Sequence, residues 1–436
     1  MGEAEIRSMP KMAERYQRPD WVRRINAMGD SVGGGADGAR RMIPFEPERW
    51  LEEAAASLGL SLAAPGLGEF GDPDWRARYF GLTNLLDAVP MNVVGRLMTK
   101  QELMRSLRTR LQLAEVWAAH PEIADEEILA PILVTGPARS GTSILFELLW
   151  LDPELRGPIG AEALHPVGLE NAEGGGLSER LEWSECEQEF WADVQPEFAA
   201  VHELRSDLPV ECITLTTGSF CGAHWGMVGA IGMEVDMVET YAFEKRALQV
   251  LQFGAAQQSP NAGESPNRTW LLKTPGHVLM LDLVFQTFPD AWIVQTHRDP
   301  AKTMPSTVSA TSMVQWMRMD EVDLEQHVRA IGMSFTAGLN SVTERRRAGD
   351  WPDRFQDVQF KSLIQDSVQT VAQIYAGMGR AFTDAHAERI RTYLAEKPKG
   401  KFGVHRYSPE EWGFTAEELR SGLAPYLEAF AVPLED

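Results

Sequence analysis

Cysteine is scarce in this chain, with three in 436 residues, and Cys186, Cys212 and Cys221 have no metal-ligand spacing. That excludes a disulfide-stapled secreted scaffold and reads as reduced thiols of a cytoplasmic protein. Long apolar runs are also missing, so stable membrane insertion is not expected. The N-terminal stretch MGEAEIRSMPKMAERYQRPD is charged and has no apolar signal core. It opens Met-Gly, but Ile6 stands where a myristoylation signal requires Ser or Thr. Positive charge is in short supply: 41 Lys and Arg face 63 Asp and Glu, a net charge of −22. This argues against non-specific binding to nucleic acid or to an anionic membrane surface. An anionic ligand must be met by a local basic pocket set in an unfavourable overall field. There are no internal repeats, and no Asp, Glu and His cluster has the spacing of metal ligands, so no metal is expected.

The length suffices for one large domain or two moderate ones with a full core. Residues 1–41 end in GDSVGGGADGARR, a Gly-rich stretch that reads as a flexible arm, either wrapped on the body or left loose. Residues 42–128 read as a helical extension. Pro47-Glu48 opens one helix, Phe80 to Leu86 lies in a second, and Lys100 to Ala119 forms a third with Leu103, Leu107, Leu111 and Ala114 on one face. The main domain runs from 129 to 436. Within it, residues 167–265 show few strand signals and read as a helical insertion on the acceptor side. Its Trp225, Met227, Met233 and Met237 read chiefly as core, with part of the segment lining a pocket. Over 270–297 a strand, a helix and a second strand follow one another, the mark of a parallel α/β sheet flanked by helices.

The chain is organised around residues 129–166. The apolar run Ile132-Leu133-Val134 reads as a buried strand, the turn GPARSGTS follows, and Ile144 to Trp150 reads as a core helix. Strand, glycine turn and helix is the layout in which backbone N–H groups and a helix N-terminus cradle a phosphate-like anion. GPARSGTS has the P-loop spacing G-x4-G-x-[ST], but Thr142 stands where an ATP-hydrolysing loop carries Lys, and the cation is displaced to Arg139. That departure counts against ATP chemistry.

Two further strand ends deliver polar residues to the same edge of the sheet, where open α/β folds place ligands. One is Lys273-Thr274-Pro275-Gly276-His277. The other is His297-Arg298-Asp299-Pro300, with Ser306 eight residues beyond Arg298, so that an Arg at a strand end and a Ser in the next helix can reach one phosphate. Together they imply two anion sites on one ligand.

In these motifs the chain resembles the P-loop-related sulfotransferases, in particular their bacterial and tyrosylprotein-sulfotransferase-like branches. The resemblance covers roughly residues 130–435, and the middle at 167–265 diverges. It implies a P-loop-like sulfotransferase fold. It also implies transfer of a sulfuryl group from 3′-phosphoadenosine 5′-phosphosulfate (PAPS), as donor co-substrate, to a hydroxyl of a small-molecule, lipid or carbohydrate acceptor. Arg139, Ser140, Gly141, Thr142 and Ser143 then hold the 5′-phosphosulfate, while Arg298 and Ser306 hold the 3′-phosphate. Glu162, in LRGPIGAEALHP, falls at the family's general-base position. The segment around Lys399, Gly400 and Lys401, with His405, Tyr407, Ser408 and Trp412 after it, resembles the C-terminal part of bacterial members. That turn either closes over the 3′-phosphate or is a solvent loop.

The chemistry agrees with the resemblance. Sulfuryl transfer passes through a loose transition state, so positioning and charge stabilisation dominate, as in phosphoryl transfer. A cation at the departing phosphate oxygen favours the transition state over the ground state, a role for Arg139 and Lys273. The acceptor hydroxyl needs a base within hydrogen-bond reach, either Glu162 or His277. Two other readings stay open: an ATP-dependent small-molecule kinase with a degenerate P-loop, and a non-catalytic nucleotide-binding protein. The acceptor's identity and any homo-oligomer also stay open.

Overall fold

The computed structural model describes residues 9, 11–167, 177–201, 203–230, 232–258, 268–397 and 408–435. Five parallel strands form one sheet: β1 Ile132–Thr135, β2 Leu155–Arg156, β3 Thr269–Lys273, β4 Trp292–His297 and β5 Phe355–Gln359, in the order β2-β3-β1-β4-β5. β1 is the pivot. Ile132 pairs with Leu271 on one side and with Trp292 on the other. Its residues are buried throughout, as expected of a short apolar run covered on both faces. β2 is only two residues long, too short to leave a periodic signal in the sequence.

Helices cover both faces of the sheet. On one, Leu145, Leu148 and Leu149 of the helix Thr142–Trp150 pack with Val371 and Ile374. On the other, Leu272, Val284, Phe288 and Leu339 join residues of the helix Met237–Gln258. This is the parallel sheet flanked by helices that the sequence predicts.

The helical preface shares a core with the insertion. Trp50, Trp75, Tyr79, Leu103 and Leu107 pack in one cluster with Phe220 and Trp225. Its long member, Val93–Ala119, starts earlier than the apolar period suggests because Asn92 caps it, the side chain accepting the Gly95 N–H. Buried Arg110 ties the two segments, donating to the carbonyls of Gly68, Glu69 and Gly218. The expected flexible arm takes a different form over residues 11–42. Helices Asp20–Ser31 and Gly35–Met42 lie against the body, with Val22 buried beside Met98 and Met313. One glycine there serves contact: a Cβ on Gly38 would meet the Gly29 carbonyl oxygen at 2.0 Å. Residues 20–42 therefore wrap on the body, one of the two forms expected of the arm.

The helices Val93–Ala119 and Pro300–Arg318 cross at Gly95, where an added Cβ would lie 2.2 Å from the Arg318 carbonyl oxygen. We expect Gly95→Ala to lower stability by about 1–3 kcal/mol, the usual cost of overpacking. Denaturant unfolding monitored by tryptophan fluorescence checks it.

Candidate active site

Because β1 lies between β3 and β4, the chain leaves the C-terminal ends of three adjacent strands into one crevice. The loop after β1 hugs β4. At Gly136, φ is +132°, and a Cβ would sit 2.4 Å from the Thr296 carbonyl oxygen, so only glycine fits. Ser140 is buried and bonds through Oγ to Thr296 Oγ1 and the Pro137 carbonyl. Arg139 takes a left-handed conformation, φ +67°, and Gly141, φ +96°, leads into the helix Thr142–Trp150. The first amides of that helix have no intrahelical acceptor and face the loop, which forms an anion cradle.

A cavity of about 470 Å³ opens on this cradle. Arg139, Gly141, Thr142 and Ser143 line it together with Lys273 and Arg298, so all three strand ends contribute. Lys273 is almost fully buried; its Nζ donates to Ser143 Oγ at 3.1 Å and to Glu211 Oε1 at 2.6 Å. Arg298 stacks on the Phe360 ring at 3.8 Å. It donates to the Arg139 carbonyl at 2.9 Å and to both oxygens of Glu435 at 2.8 and 2.9 Å. The predicted loop, Lys273 and Arg298 are thus neighbours. Ser306 lies on the helix Pro300–Arg318, fully buried, and its Oγ has no hydrogen-bond partner. It is not among the cavity-lining residues.

Neither expected base faces the cavity. Glu162 caps its own helix Gly160–Leu164: Oε2 accepts the Ile159 N–H at 3.2 Å and Oε1 accepts from Arg156 at 3.3 Å. His277 is buried with both ring nitrogens engaged, Nδ1 with the Tyr241 hydroxyl at 2.6 Å and Nε2 with Cys212 Sγ at 3.1 Å. Burial pushes its pKa down to about 4, against a smaller upward pull from the Glu211 carboxylate. Lys399, Gly400 and Lys401 lie outside the described residues, as do His405 and Tyr407. Trp412 is core, under the Arg15 guanidinium.

Sequence reasoning missed Glu211, Phe360 and Glu435. It also missed a polar wall supplied by the preface and the insertion: Arg105 pairs with Glu187 at 2.8 Å, and Glu102 pairs with Arg318 at 2.6 Å and lies 3.6 Å from His224. Much of the remaining wall is apolar, with Trp191, Phe198, Leu204, Met227 and Val314, interrupted by Gln101, Gln188 and Thr311. Glu211 left one faint signal, a lone carboxylate between apolar neighbours in PVECIT.

Comparison with known proteins now decides the class. A profile described as the sulfotransferase family matches residues 131–384, more than half of the chain. The chain belongs to the sulfotransferase family. Among the sulfotransferases it is similar to the omega-hydroxy-beta-dihydromenaquinone-9 sulfotransferase Stf3 of Mycobacterium bovis and of Mycobacterium tuberculosis. The identity is 24% over 301 residues, covering 64% of this chain and 71% of the relative. In fold it resembles sulfotransferase STF9 from Mycobacterium avium, with a TM-score of 0.72, 25% identity and coverage of 90% of this chain and 98% of that one. Sulfotransferase STF1 from Mycobacterium tuberculosis H37Rv gives 0.67, 23%, 87% and 98% respectively. The family resemblance read from GPARSGTS and Arg298 with Ser306 holds, and the protein is a transferase with the sulfotransferase fold. The kinase alternative falls with that membership.

The cluster around His277 yields a pH prediction. Beside His277, Cys212 and Tyr241, Glu244 is buried, and burial pushes its pKa up to about 7 against the opposing Cys212 hydrogen bond. A buried neutral His loses stability as pH falls from 6.5 to about 4, since the unfolded chain takes the proton first. Protonated Glu244 loses stability in the other direction, as pH rises from 4.5 through about 7. The two slopes oppose each other. Glu244→Gln removes only the second, so its unfolding free energy should fall more steeply than the wild type's between pH 6.5 and 4.5. Urea unfolding at the two pH values measures it.

Proposed function

We propose that this sulfotransferase takes its sulfuryl group from PAPS and delivers it to the hydroxyl of a bulky apolar small molecule or lipid. The observation that carries the reading is that one cavity joins the anion cradle, Lys273 and Arg298 to apolar walls. Its volume falls in the range of small-molecule sites. The 5′-phosphosulfate lies on Arg139 to Ser143, against the helix N-terminus. The 3′-phosphate lies on Arg298, with Ser306 behind it. Two features support that second site: the Glu435 carboxylate already engages Arg298 as an anion would, and the Ser306 hydroxyl is buried without an acceptor. Bound donor must displace or share the Glu435 contact.

Arg139 and Lys273 meet the charge that builds on the departing phosphate oxygen as the S–O bond lengthens. Lys273, almost fully buried, acts there more strongly than it would in solution. Stf3 is named for a hydroxylated menaquinone derivative, omega-hydroxy-beta-dihydromenaquinone-9. The apolar walls here support the same class and favour it over a carbohydrate. The three unpaired cysteines support a reducing, cytoplasmic setting.

Adenosine 3′,5′-bisphosphate should raise the melting temperature, by an amount equivalent to about 2.7 kcal/mol at a hundred times its Kd, whereas magnesium-ATP should give no comparable shift. Arg298→Ala should weaken bisphosphate binding by roughly 10- to 100-fold, the loss of one charge-assisted contact. Calorimetric titration of both proteins checks it, and unchanged affinity would move the 3′-phosphate elsewhere.

A further inference from the structure

We propose that Glu211 is the general base of the transfer, the group that takes the proton from the acceptor hydroxyl. The inference rests on the sulfuryl-transfer reading of the cavity and adds one residue to it. A base must lie within hydrogen-bond reach of the attacking oxygen, so its position relative to the donor comes first. Lys273 marks that position. Its ammonium is held on Ser143, the second residue of the cradle helix, and Glu211 Oε1 lies 2.6 Å from the same nitrogen. All three residues line the cavity. The two residues that the sequence offers for the role are committed elsewhere, Glu162 to its helix N-terminus and Arg156, His277 to Tyr241 and Cys212.

The backbone holds Glu211 from both sides. Upstream, residues 206–210 run beside 158–161: Gly160 N–H donates to the Leu208 carbonyl, Ala161 N–H to Ser206, and Val210 N–H to Pro158. Downstream, the Glu211 carbonyl accepts the Thr214 N–H at the start of the turn Cys212–Ser219, and Ile213 N–H donates to Thr274 Oγ1 beside Lys273. A carboxylate fixed at both ends is pre-organised, as a catalytic group should be.

The ion pair also times the base. In the resting site the Lys273 ammonium engages Glu211 Oε1. When the donor's sulfuryl and phosphate oxygens draw the ammonium to themselves, that contact gives way to one with the acceptor hydroxyl. Donor binding therefore prepares the base. In the step itself, an electron pair on the acceptor oxygen forms the new O–S bond and its proton passes to the Glu211 carboxylate. The S–O bond to the 5′-phosphate breaks, and its electron pair leaves on the phosphate oxygen facing Lys273 and Arg139. Glu211 returns the proton to solvent after the products depart.

The test uses single-turnover conversion of PAPS to adenosine 3′,5′-bisphosphate by the full chain, with water alone and with farnesol as acceptor probes, and calorimetric binding of the bisphosphate. Glu211→Gln should slow conversion by about 10²- to 10⁴-fold. It should bind the bisphosphate within about threefold of wild type, which also shows that it is folded. Its rate should lose the rise with pH across the carboxylate range. Glu211→Asp should keep that rise at a reduced rate. Wild-type conversion by Glu211→Gln, or a loss confined to Glu162→Gln, overturns the assignment. So does a wild type that binds the bisphosphate yet consumes PAPS no faster than buffer. A wild type that binds no bisphosphate at all defeats the donor reading itself, and the assignment with it.

Discussion

The hydrogen bonding of β1 on both edges is the constraint on which the cavity depends. A strand paired with β3 on one side and β4 on the other ends beside the ends of both. Lys273 and Arg298 are far from the glycine loop in sequence, yet each is a neighbour of it in space because a parallel register puts strand C-termini at one edge. The closeness of the loop to β4 then turns on Gly136, where a side chain would strike the Thr296 carbonyl. Without that approach, Ser140 would not meet Thr296, and the Arg139 carbonyl would not accept from Arg298.

Charge is handled locally throughout. The chain is strongly acidic, yet Arg139, Arg298, Lys273 and a helix N-terminus converge on one crevice. Lys273 is held by Glu211, and Arg298 by Glu435 and the Phe360 ring. Such partners limit the cost of keeping a buried charge before the ligand arrives, and they fix its direction. They also make the resting site a set of exchangeable ion pairs, so that an anionic ligand trades places with a carboxylate.

The rest of the cavity is built differently. It is assembled from the helical preface and the insertion, which share a core around Trp50, Trp75 and Trp225. The helix Val93–Ala119 therefore supplies Glu102 and Arg105 to a cavity whose cradle begins near residue 136. Treating the first 130 residues as an appendage understates them, since they form part of the cavity wall.

How much of this was legible depends on how far each feature reaches along the chain. Local signals carried the strands β1, β3 and β4, the helix between the last two, the glycine loop and the cation at each strand end, because turn chemistry and apolar period act within a few residues. The family followed from the same short motifs. The orientation of a side chain was not legible. Glu162 stands where the motif wants a base but turns to its own helix N-terminus, a choice made by Arg156 and the Ile159 amide. His277 follows the right strand but is closed in by Tyr241 and Cys212, gathered from segments 36 and 65 residues away. Glu211 carries no motif at all. It becomes a partner of Lys273 only because residues 206–210 lie along 158–161, an encounter between distant backbone segments that no local pattern encodes.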